Sequence, residues 1–86
     1  MKRFLIGFGF PESKGIVDYV AAFGKDMQEA KNSFIRNIKT LSFAVDVYGC
    51  YEIPDFIKGC VFDNRKIAEI LRRNGAEYEF FAFINR

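Results

Sequence analysis

The chain has 86 residues, with 13 Lys and Arg against 11 Asp and Glu, for a formal net charge of +2. Half of it is apolar and 11 residues are Phe, so a single domain over residues 1–86, cored by a few large rings, is expected to fold without disulfide staples. The absence of His removes the usual general base and the usual orienting partner of a Ser or Cys nucleophile, and no apolar run approaches the roughly 18 residues of a membrane span.

The opening "MKRFLIGFGF" imitates a secretory signal, but its apolar run stops at Phe10 before Pro11, Glu12, Ser13 and Lys14 with no small-residue cleavage site. Its even positions Phe4, Ile6, Phe8 and Phe10 read instead as a strand with one buried face. A breaker-rich loop over Pro11–Gly15 leads to a second strand, Ile16–Phe23, with Val17, Tyr19, Ala21 and Phe23 inward. The glycines do not make a phosphate loop, because Gly15 is followed by Ile16 and Val17 rather than Lys and Ser or Thr. The dinucleotide fingerprint also fails, since Phe10 and Pro11 lead to Glu12. Gly7 and Gly9 share the outward face, where either Phe81 or Phe83 of a neighbouring strand or a partner is expected to lie close to the backbone.

In "KDMQEAKNSFIRNIKTL", Asp26 is placed to cap the amide of Glu29 and Glu29 to reach back, while Met27, Ala30, Phe34, Ile38 and Leu41 recur at helical spacing. A third strand follows with Phe43, Val45, Val47, Tyr51 and Ile53 inward and Asp46, Tyr48, Cys50 and Glu52 outward. After Pro54, Asp63 caps a second helix with Ile67, Ile70 and Leu71 on its inner face, Phe62 as a staple and Gly75 as the stop. A last strand, Glu77–Asn85, turns Tyr78, Phe80, Ala82 and Ile84 inward. The order ββαβαβ predicts an α+β domain in which both helices pack on one face of an antiparallel or mixed sheet.

The two cysteines, Cys50 and Cys60, lack the spacing of a redox or zinc motif and read as free packing thiols in a reducing, cytoplasmic compartment. Asp46 and Glu52 lie on one side of a strand but six residues apart, which at about 3.3 Å per residue is too far for a glycosidase pair; a cross-strand pair of Asp46 with Glu77 or Glu79 stays open. The expectation is a non-catalytic protein with no cofactor and no metal.

Charge sorts by face. Outward strand positions hold Asp18, Asp46, Glu52, Glu77 and Glu79 around Tyr48, Phe81 and Phe83, with Arg3 the basic exception, whereas the helices' outer faces are rich in Lys and Arg. One class of function docks the acidic, aromatic face on a larger protein or a protein–nucleic acid complex. Tyr48, Phe81 and Phe83 would be its anchors, and Asp46, Glu52, Glu77 and Glu79 would give steering and register. A homodimer closing sheet on sheet is a variant. The alternative class binds nucleic acid through Arg65, Lys66, Arg72 and Arg73. The carboxylates of the sheet would repel phosphates, which places protein docking first.

The segment "VDYVAAFGKDMQEAKNSF" resembles the strand-then-capped-helix unit of small α+β proteins from phages and other mobile elements, some anti-CRISPR inhibitors among them. The resemblance implies a stoichiometric inhibitor that occupies a nucleic-acid-binding surface of a host complex.

Overall fold

The structure, a computed structural model, describes residues 1–54, 57, 63–73 and 77–86, with Glu77 and Tyr78 described by backbone alone. The elements are β1 (Lys2–Gly9), β2 (Asp18–Gly24), α1 (Met27–Ile38), β3 (Val45–Ile53), α2 (Asn64–Arg73), β4 (Glu77–Tyr78) and β5 (Ala82–Ile84). The fold is α+β. Its antiparallel sheet runs β2-β1-β3-β4, and β5 continues β4 along β3, so the single last strand expected over Glu77–Asn85 is two short pieces.

Both helices start at the acids expected to cap them. Asp26 accepts the Glu29 amide at 2.9 Å, and Glu29 Oε1 accepts the amide of Lys25, one residue ahead of the cap, at 3.3 Å. Asp63 accepts the Lys66 amide at 2.8 Å. Phe62 and Gly75 lie outside the described residues.

The helices do not share a face. Phe4, Ile6, Ala22, Val45, Val47, Cys50, Phe80 and Ile84 form one buried cluster with Ala30 and Phe34 of α1, whereas Leu5, Tyr19, Tyr51 and Ile53 form another with Ala68 and Leu71 of α2. Successive side chains of β1 enter opposite clusters, so the sheet is a middle layer between the two helices. This corrects the expected one-sided packing. A helix on each side makes Leu5 as deeply buried as Phe4 and Ile6, and an alternation with only one buried face cannot describe such a strand.

In β3 the pleat changes phase midway. Arg3 to Gly7 pair with Ile53 to Gly49, then Phe8 pairs with Val47, which leaves Tyr48 as an extra residue between Val47 and Gly49. Such a bulge reverses the sidedness of everything beyond it. Val45 and Val47 therefore face α1 as expected, but Cys50 joins them in that core instead of pointing outward, and Tyr51 and Ile53 turn to α2.

The opening hairpin is closed from within. Ser13 Oγ donates to the Phe10 carbonyl at 2.8 Å and accepts the Phe10 amide at 2.9 Å, while Lys14 and Gly15 adopt φ of 55° and 146°. The Gly15 carbonyl oxygen sits 1.9 Å from where a Cβ on Gly9 would be, and Ile16 and the Tyr19 ring lie 3.0 Å from a Cβ on Gly7. The chain's own loop and β2 thus cover both glycines, in place of the expected Phe81, Phe83 or partner.

Candidate functional site

On the α1 side, the helix leaves part of the sheet uncovered toward β2. A groove of about 560 Å³ opens there, walled by Phe8, Val20, Phe34, Leu41 and Phe43, with Ser33 and Asn37 of α1 and Asp18 as its polar members. Its size and largely apolar lining are those of sites that take apolar ligands or side chains. Three rings stiffen one wall, with Phe10 packed edge-on against Phe8 at 6.0 Å and against Phe43 at 5.9 Å. At the mouth, Leu41 is half-exposed and Phe43 is 49% exposed. The segment bearing them is pinned by Asn85, whose amide donates to the carbonyls of Ile38, Leu41 and Phe43 at 3.0, 3.1 and 3.3 Å.

The acidic, aromatic sheet face is not one surface. Asp46 is 2% exposed and bound by Arg86, so it cannot steer a partner. Glu52 lies on the α1 side of the bulge, opposite Phe4, and pairs with Lys2 at 3.3 Å. Tyr48 is the bulge residue and is half-buried. Glu79 is exposed and its carbonyl accepts Lys31 Nζ at 3.4 Å, whereas the side chains of Glu77 and Tyr78 lie outside the described residues. Phe81 and Phe83 do stand outward, 64% and 65% exposed, while Phe80 and Ile84 are buried against α1.

Of the four cations proposed for nucleic acid, three are already engaged. Arg65 donates to the Val17 carbonyl and lies 3.7 Å from Asp18, and Lys66 and Arg73 flank Glu69 at 3.9 and 3.0 Å. All three pairs are solvent-exposed and contribute little to stability. Arg72 lies beside Glu69 in a shallow depression with Arg65 and Tyr19.

Cys50 is a free, fully buried thiol, and burial raises its pKa from 9.0 to about 11 against the opposing pull of Lys31. It is therefore protonated and unreactive at neutral pH. Cys60 lies outside the described residues. Among the described residues, no group of three or more His, Cys, Asp or Glu is placed to hold a metal ion, and no helix is long and apolar enough to cross a membrane.

The alternation that suggested an acidic face could not have located the groove. Its signals are Leu41, expected as the last residue of the helical stripe, and Phe43, expected inward on the third strand; both instead lie between the end of α1 and the start of β3, where a turn leaves them open to solvent. No family model, curated protein or solved structure matches this chain.

Proposed function

We propose that the chain acts by macromolecular contact, holding an apolar segment of a larger protein in the groove between β2 and α1. The observation that carries this reading is the groove itself, about 560 Å³ of apolar-walled space with Leu41 and Phe43 open at its mouth. Water against such a surface is released when apolar side chains fill it, and that supplies the driving force for binding. Phe81 and Phe83 form a second, smaller contact point, all that remains of the expected acidic and aromatic face. A stoichiometric inhibitor of a larger assembly, the role implied by the likeness to phage proteins, is a binder of this kind, and the cytoplasm is its setting.

The reading is tested by affinity capture with the tagged chain beside three variants whose fold is checked by circular dichroism: Leu41→Asp with Phe43→Asp, Phe81→Ala with Phe83→Ala, and Arg65, Lys66, Arg72 and Arg73 all changed to Ala. The groove variant is expected to lose the captured protein. Loss only in the variant lacking the four cations, with a salt-sensitive nucleic acid as the captured species, would overturn it.

A further inference from the structure

The groove is bordered by a sheet edge whose hydrogen-bonding groups are handled unevenly. β2 has β1 on one side and no described strand on the other. The Tyr19 amide donates to Asp18 Oδ1 at 2.8 Å and its carbonyl accepts Asn64 Nδ2 at 3.0 Å, so the peptide groups of Tyr19 point away from β1. Further along, the Lys25 amide is taken by Glu29 Oε1 at 3.3 Å. Backbone groups alternate along a strand, so those of Ala21 and Phe23 point the same way as those of Tyr19. Side chains therefore cap the edge at Tyr19 and Lys25 and leave it open between them. That open part carries no charge, proline or bulge, the devices that ordinarily keep an edge from pairing.

We propose that β2 pairs edge to edge with β2 of a second copy, antiparallel about a two-fold axis at Ala22. In this register Ala21 faces Phe23 of the second copy and Phe23 faces its Ala21, so the open rungs satisfy one another and the caps on Tyr19 stay in place. A small side chain lies beside a large one on the α2 side, and Phe23, 51% exposed in the single chain, is covered together with Val20. The two sheets become continuous and the two grooves flank the axis. An isologous pairing of this kind closes on itself as a dimer.

Sedimentation equilibrium on the full chain, from micromolar to near-millimolar concentration, is the test. The expected result is a species of about twice the 9.9 kDa chain mass that disappears in both Ala21→Pro and Phe23→Lys, two edge substitutions outside the buried clusters. Leu41→Asp with Phe43→Asp should keep the dimer, which separates this inference from the reading of the groove as the protein-binding site. A wild-type chain that stays monomeric throughout, or a dimer that survives Phe23→Lys, would overturn the proposal.

Discussion

Arg86 holds the buried carboxylate of Asp46 through both oxygens, Nε to Oδ1 at 3.0 Å and Nη2 to Oδ2 at 2.6 Å, while its guanidinium lies 4.6 Å from the centre of the Phe83 ring. The bond to Asp46 holds the Arg86 pKa above its ordinary value. One side chain thereby satisfies a buried charge and covers an exposed ring at the end of the sheet.

Arg86→Ala should therefore destabilise the fold, though by less than breaking a fully buried pair, because the Arg86 side chain is half-exposed. Pairing it with Asp46→Asn, which removes the stranded charge, should recover part of the loss. Urea denaturation of the single and double variants measures both.

Tyr48 is the extra residue that sets the phase of β3. Deleting it would join Val47 to Gly49 in a regular strand that keeps Val45, Val47 and Cys50 on the α1 side, so the deletion should still fold, whereas deleting Tyr48 and Gly49 together would turn Cys50 to the wrong side of the sheet and should abolish folding. Tyr48→Ala keeps the residue count and should cost about 1 kcal/mol or less. Dispersion in an amide NMR spectrum distinguishes these outcomes.

Gly9→Ala would place a methyl group 1.9 Å from the Gly15 carbonyl oxygen, so the hairpin must move, with a cost of about 1–3 kcal/mol. Gly7→Ala meets only side-chain atoms, of Ile16 and Tyr19 at 3.0 Å, and should cost less. Denaturation midpoints should rank the two in that order.

Burial raises the Cys50 pKa from 9.0 to about 11, so the unfolded chain loses this proton before the folded chain does. The folded state binds more protons between these values, and stability should fall as pH rises through that window, by up to ~2–3 kcal/mol, while below pH 9.0 the contribution is complete. Cys50→Ala should flatten this dependence in urea denaturation at graded pH, and the native thiol should resist alkylation at neutral pH.

Much of the architecture is legible in local chemistry. Asp26 and Asp63 mark their helix starts because an N-cap is a bond between near neighbours, and Phe80 and Ile84 lie on the buried side of the last strands because their alternation is unbroken. What pattern could not supply was non-local. Leu5 looked outward because nothing in β1 announces a second helix behind it, and Cys50 and Glu52 looked outward because one inserted residue, Tyr48, changes phase without leaving a compositional mark. Strand alternation alone makes Asp46 a docking carboxylate, because its partner, Arg86, lies forty residues away in sequence.

The central claim is that the groove between β2 and α1 is open in the folded chain and accepts apolar groups. Titrating the labelled chain with an apolar fluorescent probe, anilinonaphthalene sulfonate, while following methyl NMR signals tests it most directly. Saturable shifts are expected at Val20, Ile38, Leu41 and Val45, with Leu5, Ile53 and Leu71 beneath α2 unmoved. Unchanged groove methyls, or shifts spread equally over both sides of the sheet, would contradict it.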